Sequence, residues 1–281
     1  TPKKGFQLHE DALRTLPDAL SKKYGTLTDV PLSLAIRDNR TIGIIGNDAN
    51  IQHLLMEIIL SVIALHSFDE AKLILLMPPA YGNTFELFKN VPHIWSNDKR
   101  IRYFATNPEE VHFVFGNIEE TLREREGARN PGEASIPLPY YIVIITDPLL
   151  VEREALPKRV NDSETSMGVS LIFAYGDITK LPEYCQTIIQ SDATRTGYYT
   201  KNKNENRFIP FALDKIPKAA MYTFVNKLSR LPVKRDAKSM GIPERVSFMQ
   251  MYEVGNVKEL EIERHWDNNT SSKSLISSKS L

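Results

Sequence analysis

A glycine turn between a predicted strand and a predicted helix is the first place where this sequence could carry out chemistry. Residues 41–45 are mostly isoleucine, as in a strand covered on both faces. From Ile51 to Ile63, apolar residues recur every three or four positions, which predicts a helix with a broad buried face. A strand, a glycine turn and a helix N-terminus together form the usual phosphate-binding frame of α/β proteins. The turn residues, which also favour helix N-termini, are Gly46, Asn47, Asp48 and Asn50.

The side chains that hold a phosphate are nevertheless missing from this turn. In a G-x-x-x-x-G-K-[ST] loop counted from Gly46, Ile51, Gln52 and His53 replace the second glycine, the lysine and the hydroxyl. A hydrogen bond to a charged group contributes about 1.5–3 kcal/mol, so the absent lysine alone would weaken binding by one to two powers of ten. Asp48 would stabilise the helix N-terminus by about 0.3–1 kcal/mol, in the space that a phosphate would need. We therefore expect a nucleotide-binding frame without a bound nucleotide.

A second candidate position follows the apolar strand YYIVIITD at 140–147. In a nucleotide hydrolase, such a strand ends in an Asp that organises Mg²⁺ and a Glu that activates water. Here Asp147 occupies the first position and Pro148 the second, while Glu152 and Glu154 lie further on, in a predicted helix. The simpler interpretation of Asp147 is a cap between strand and loop. The candidate cofactor-binding residues, at degenerate positions of both motifs, are Gly46, Asn47, Asp48, Asn50, Gln52, His53 and Asp147, with no catalytic residue among them.

Composition excludes several other classes of site. The formal net charge is zero, with 35 basic and 35 acidic residues, so no long-range field favours DNA or RNA. Six scattered histidines and one cysteine show no metal-ligand spacing, and we expect neither a metal site nor a disulfide. Cys185 is expected to be a core thiol, and His53 a residue of the helix surface. No run of 18 apolar residues and no secretory signal occur, so no membrane span is expected in this segment.

Hydrophobic periodicity predicts an α/β fold, with a mostly parallel central sheet, helices on both faces and a degenerate RecA or P-loop NTPase-like core. The predicted domains are a lead-in at 1–39, the α/β domain at 40–230 and a connector at 231–281. Predicted helices lie before Pro17 and at 84–89, 109–126, 216–230 (with Ala220, Phe224 and Leu228 on its apolar face), 243–251 and 256–268. Predicted strands lie at 30–36, 41–45, 72–77, 101–106, 140–148, 170–175 and 185–190, with an edge hairpin at 194–201 and 207–213 and an exposed loop at 127–139.

Several segments in a specific order resemble one known family. They are RTIGIIGN with the LLMEIILSVIALHS helix, FKNVPHIW, YYIVIITD, and the ending MGIPERVSFMQMYEVGNVKELEIERHWDNNTSSKSL. Together, from about Leu8 to Leu275, they resemble the membrane-proximal ATPase-like domain of the type VII secretion motor proteins EssC and EccC. The ending looks like the connector that leads into the first FtsK/SpoIIIE-type motor domain. The first residue, Thr1, and the SSKSLISSKSL ending suggest a segment of a longer chain, and residues 276–281 depart from what should follow in the family.

The resemblance implies a position in a secretion machine rather than catalysis. The parent would be a membrane-anchored bacterial ATPase that exports WXG-type proteins, and this segment would lie in the cytoplasm between the membrane helices and the motor domains. Implied partners are other secretion subunits, including a ubiquitin-like cytosolic component, and the adjacent FtsK-type domains of the same chain. We expect a structural and coupling domain that needs no cofactor. Two alternatives stay open: a divergent ATP- and Mg²⁺-binding domain or weak ATPase, and a DNA-translocase module, against which the zero net charge argues.

Overall fold

The structure, a computed structural model, describes residues 12–25, 30–128, 137–163, 166–201 and 208–231. Its six helices in the described ranges are α1 (Ala12–Tyr24), α2 (Asp48–Leu65), α3 (Pro79–Phe85), α4 (Pro108–Ala128), α5 (Leu156–Asp162) and α6 (Lys218–Arg230). The strands are β1 (Thr41–Gly46), β2 (Ala71–Leu76), β3 (Phe104–Ala105), β4 (Tyr140–Ile145), β5 (Val169–Gly176), β6 (Thr187–Ser191), β7 (Thr196–Thr200) and β8 (Ile209–Pro210). Short 3-10 helices span Glu86–Asn90, Pro92–Ile94, Pro148–Leu150 and Ile178–Lys180.

All eight strands form one sheet in the order β3-β2-β4-β5-β1-β6-β7-β8. The first six strands of this order, β3 to β6, are all parallel to their neighbours. Strands β7 and β8 add an antiparallel edge. Every residue of β2 and β4 is buried, which explains why these strands are nearly continuous apolar runs, broken only by Lys72, rather than alternating ones. The predicted mostly parallel α/β sheet is confirmed, as is the edge hairpin.

Helices cover both faces of this sheet, as predicted. The connection from β1 through α2 to β2 runs toward the β3 edge of the sheet. The connections from β3 through α4 to β4, and from β4 through α5 to β5, run toward the β8 edge. Because parallel crossovers are right-handed, α2 lies on one face and α4 and α5 on the other. An ion pair joins α5 to α4: Arg159 Nη2 lies 2.8 Å from Glu126 Oε2.

Helix α2 is the main apolar helix of the core. Its buried side chains, each of which contributes about 1.5–3 kcal/mol relative to exposure, are Ile51, Leu54, Leu55, Ile58, Ile59, Leu60, Val62 and Ile63. Among the described residues, α2 alone has the length and apolar composition that could cross a membrane. It packs here against β1, β2 and β5, as the core helix of an α/β sheet does.

Several local predictions are wrong. Residues 30–36 form no strand, although Leu34 and Ile36 pack against the core. The first helix does not stop before Pro17 but runs through it to Tyr24. The strand predicted at 101–106 is only Phe104–Ala105, because it pairs at the edge of the sheet with β2 alone.

Another error concerns the face that α6 buries. The helix itself is confirmed, but it rests on Met221 and Val225, whereas Ala220 and Phe224 of the predicted apolar face are exposed and Leu228 is half-buried. The predicted helices at 243–251 and 256–268, and most of the loop predicted at 127–139, lie outside the described residues.

Candidate functional site

The carboxyl edge of the parallel strands brings both candidate motifs to the same side of the sheet. The turn at Gly46 ends β1, and Asp147 follows β4, with β5 between the two strands. Neighbouring strands are about 4.8 Å apart, so the two motifs are about 10 Å apart across the sheet. Tyr175, near the end of β5, lies between them. Its pKa is raised, mainly by burial and in small part by the charge of Asp147.

The glycine of the turn is required by strand packing. Gly46 has a φ of +140°, and a Cβ atom there would lie 2.0 Å from the carbonyl oxygen of Ser191 in β6. The same carbonyl accepts hydrogen bonds from the Asn47 amide at 3.3 Å and from Asn50 Nδ2 at 3.3 Å. The backbone of the turn is therefore tied to β6, which accounts for the glycine without a phosphate.

The turn between β1 and α2 consists of one residue. Asn47 is the N-cap, with φ −81° and ψ 150°, and its Oδ1 accepts the Asn50 amide at 2.9 Å. The Ile51 amide donates to the Asn47 carbonyl at 3.0 Å, so regular helix begins at once. A phosphate-binding loop needs several consecutive amides that point into a common space. Here the capping side chain already occupies the Asn50 amide.

The positions that would carry the rest of the phosphate loop lie inside α2. Ile51, in place of the second glycine, is completely buried, and its Cδ1 is close to Gly176 at the end of β5. His53 Nε2 lies 2.8 Å from the Asp214 carbonyl and 2.9 Å from Glu57 Oε1. Gln52 and His53 both line a cavity of about 280 Å³ between α2 and α6. The structure therefore does not bring these two side chains to the Gly46 turn.

The carboxylate of Asp48 also has a partner within the protein. Asp48 Oδ1 accepts a hydrogen bond of 2.8 Å from the Tyr81 hydroxyl of α3. Burial and this hydrogen bond raise the pKa of Tyr81. The bond connects the N-terminus of α2 to α3, and nothing in the sequence around Tyr81 had indicated it.

Asp147 caps the short helix that follows its strand. Its Oδ1 accepts the Leu149 amide at 2.9 Å, as Asp177 Oδ1 accepts the Thr179 amide at 2.9 Å after β5. This is the strand-to-loop cap expected from the sequence. Glu152 and Glu154 lie in a turn and an irregular segment rather than in the predicted helix, and Glu154 Oε1 is 3.2 Å from His112 Nδ1.

Carboxylates accumulate along this edge of the sheet. Asp48, Asp147, Asp177 and Asp192 each lie within two residues of the end of a strand, namely β1, β4, β5 and β6. No Lys or Arg occupies the two positions after any of these strands. A tri- or diphosphate would meet repulsion here and no lysine from the turn. Carboxylates are ligands that Mg²⁺ prefers, but these positions hold no cationic side chain that would neutralise a phosphate chain.

Two buried chemical groups lie away from this edge, Lys72, which was not predicted, and Cys185, which was. Lys72, in the apolar strand β2, is 1% exposed, and burial lowers its pKa to about 8. Its Nζ donates to the Pro92 carbonyl at 3.4 Å and lies 5.0 Å from the centre of the Phe68 ring. Cys185 is buried, as predicted for a core thiol, and burial raises its pKa to about 12. Among the described residues, no three potential metal ligands form a cluster.

No known protein-family profile matches the chain. Its sequence is 23% identical over 256 residues to the ESX secretion system protein EccC of Geobacillus thermodenitrificans, covering 91% of this chain and 17% of that protein. It is 25% identical over 268 residues to the type VII secretion system protein EssC of Staphylococcus aureus strain NCTC 8325, covering 92% of this chain and 18% of that protein. The chain therefore spans less than a fifth of the length of these relatives.

Solved structures of EssC resemble this fold distantly. The EssC structure of ATPases 2 and 3 from Geobacillus thermodenitrificans gives a TM-score of 0.48 at 12% identity, over 77% of this chain and 49% of that one. A structure of the cytoplasmic domain of EssC gives a TM-score of 0.48 at 14% identity, over 69% of this chain and 44% of that one. The sequence matches extend over nine-tenths of the chain and agree with the family resemblance. The chain is homologous to a segment of the type VII secretion proteins EssC and EccC.

Proposed function

We propose that this chain is a pseudo-ATPase domain, a structural and coupling module that works without binding nucleotide. The observation that carries the proposal is the one-residue turn between β1 and α2, in which Asn47 caps the helix through the Asn50 amide. A turn this short lacks the long run of loop amides that wraps a phosphate, and its glycine is needed for the contact with Ser191. The fold keeps the frame of a nucleotide-binding domain while its carboxyl edge carries carboxylates.

The homology to EssC and EccC supports a place for the module within a type VII secretion motor protein. We place it in the cytoplasm, between a membrane anchor and FtsK-type motor domains of the same chain that drive export of WXG-type proteins. It would transmit motor conformations toward the membrane part, or dock other subunits such as a ubiquitin-like cytosolic component.

Calorimetric titration of the purified chain with ATP and Mg²⁺, up to millimolar nucleotide, tests the proposal. We expect no saturable heat, while a P-loop ATPase titrated under the same conditions gives a normal isotherm. Binding in the micromolar range needs about 7–8 kcal/mol, which we do not expect from a one-residue turn without a lysine. A saturable micromolar isotherm, or turnover of ATP by the unmodified chain, would overturn the proposal.

A divergent nucleotide site is the second candidate, because Asp147 and the Gly46 turn share one edge of the sheet. It predicts Mg²⁺-dependent binding that Asp147→Ala abolishes. Asp177→Ala is the matched control, since Asp177 makes the same 2.9 Å cap after the neighbouring strand. Loss of binding in Asp147→Ala alone would establish the nucleotide site. Equal binding by both variants would show that Asp147 serves only as a helix cap.

A further inference from the structure

Helix α6 has an apolar flank that no described residue covers. The helix rests on Met221 and Val225, and at about 100° per residue Ala220, Phe224 and Leu231 align along one side of this buried face. Ala220 is exposed, and Phe224 and Leu231 are 38% and 59% exposed. Single exposed apolar residues are ordinary, but an aligned stripe on one helix indicates a contact surface.

The stripe ends where the described chain ends, and 50 further residues follow Leu231. Ten of these, PVKRDAKSMG at 232–241, are mostly polar. They precede an apolar stretch, VSFMQMYEV at 246–254, which begins within the helix predicted at 243–251. A segment tethered this closely is present at high effective concentration.

We propose that residues 242–263 of the same chain dock on the exposed flank of α6. The linker can reach: ten extended residues span up to about 33 Å, whereas a 13-residue helix such as α6 is about 20 Å long. The segment can therefore turn back and run along the whole helix, placing Phe248, Met249 or Met251 against Phe224.

Charge complementarity favours this occupant. Helix α6 carries Lys218, Lys227 and Arg230 and no acidic residue, a net charge of +3. Residues 244–263 contain five acidic and two basic side chains, a net charge of −3. Opposite charges at the rim of an apolar contact fix its register and disfavour a second copy of α6, which would bring +3 against +3.

The docking would connect the connector to the core of the domain. Helix α6 contacts the 3-10 helix Glu86–Asn90, and Lys218 and Met221 line the cavity shared with Gln52 and His53 of α2. A force or displacement on the connector would thus reach the helix that follows β1. The inference is independent of whether nucleotide binds.

Hydrogen exchange on the full 281-residue chain tests the docking. We expect amides within 242–263 to be protected, and Phe224→Glu to raise their exchange rates at least tenfold, because it removes the apolar anchor and places a negative charge against an acidic segment. Tyr222→Glu is the matched control: Tyr222 is 50% exposed on the other flank of the same helix. It should leave these rates unchanged, and unaltered exchange in β4 and β5 shows that both variants fold.

Three results would overturn the docking. Exchange at 242–263 that is already unprotected in the unmodified chain excludes a docked segment. Equal effects of the two variants exclude the Phe224 flank. Protection that disappears on dilution assigns the flank to a second copy instead. If Phe224→Glu fails to fold, Leu231→Glu, at the exposed end of the stripe, replaces it with the same expected outcome.

Discussion

Gly46 shows how one residue can keep its place after the chemistry associated with it is lost. In a phosphate loop the glycine frees backbone amides, but here it permits the close approach of β1 to Ser191. We expect Gly46→Ala to destabilise the fold by about 3 kcal/mol or more, because a Cβ 2.0 Å from a carbonyl must displace backbone and φ is +140°. Urea unfolding followed by circular dichroism measures the loss.

Gly116→Ala is the control for this prediction. Gly116 lies inside α4, and a Cβ there would meet no atom within 4 Å. The same chemical change should therefore stabilise the chain, by up to about 1 kcal/mol, through helix propensity. If Gly46→Ala were as harmless as this control, the contact with Ser191 would not be the reason for the glycine.

Lys72 is a buried cation with weak compensation, and it should cost stability. Its pKa falls from 10.5 to about 8 by burial, with Asp69 raising it and Lys99 lowering it. Because the folded state holds this proton less tightly than the unfolded chain, the cost is full below pH 8 and disappears as the pH rises toward 10.5. At pH 7 it amounts to about 3 kcal/mol. Lys72→Met should therefore raise the free energy of unfolding by about 1–3 kcal/mol at pH 7.

The difference between Lys72→Met and the unmodified chain, measured from pH 7 to 10, isolates this group from the tyrosines and Cys185. The advantage of the variant should shrink as the pH rises. Lys180→Met, at an exposed lysine, should stay within about 0.5 kcal/mol of the unmodified chain at every pH. An advantage of Lys72→Met that did not change with pH would show that the ammonium is not the cause.

At the scale of single residues, the sequence indicated which positions matter but not which contacts make them matter. Gly46 and Asp147 were recognised because motif spacing is local, and the Asp147 cap needs only the next two residues. The partner of Gly46 is Ser191, on a strand far along the chain, and Asp48 pairs with Tyr81 of another helix. Such contacts depend on the strand order, which the sequence pattern does not give.

At the scale of elements, Asn47 decides how β1 passes into α2. Asn47→Ala should cost about 1 kcal/mol of stability, since the Asn50 amide loses its acceptor, whereas Asn47→Asp retains an acceptor and should cost less. Urea unfolding gives the two free energies, and exchange of the Asn50 amide locates the effect. Equal stabilities of the Ala and Asp variants would mean that the cap does not hold the turn closed.

The elements themselves follow from periodicity where burial dictates it, and differ from prediction where it does not. Strands β1, β2 and β4 and helix α2 were found because each is largely buried and its apolar residues dominate the pattern. For α6, the sequence offers two adjacent apolar faces, Met221 with Val225 and Ala220 with Phe224. Periodicity cannot choose between them, because the choice depends on what lies opposite each face.

At the scale of the whole molecule, Cys185 offers a measure of global opening. It is the only cysteine of the chain, it is buried beside β6, and its pKa is raised to about 12 by burial. A buried thiol of this kind reacts with a labelling reagent only after the protein opens. In mild urea, where reclosing is fast, the labelling rate follows the population of the unfolded state.

This rate can decide whether any nucleotide binds, without relying on heat. A ligand that binds only the folded state reduces the unfolded population by a factor of 1 + [L]/Kd. A site with a Kd of about 10 μM would slow labelling about 100-fold at about 1 mM ATP with Mg²⁺. For a pseudo-ATPase domain we expect the same rate with and without ATP.

Gly116→Ala should slow labelling up to about fivefold through stability alone, which shows that the assay can detect stabilisation. Slowing by ATP that Asp147→Ala removes and Asp177→Ala retains would instead restore a nucleotide site to the carboxyl edge of the sheet.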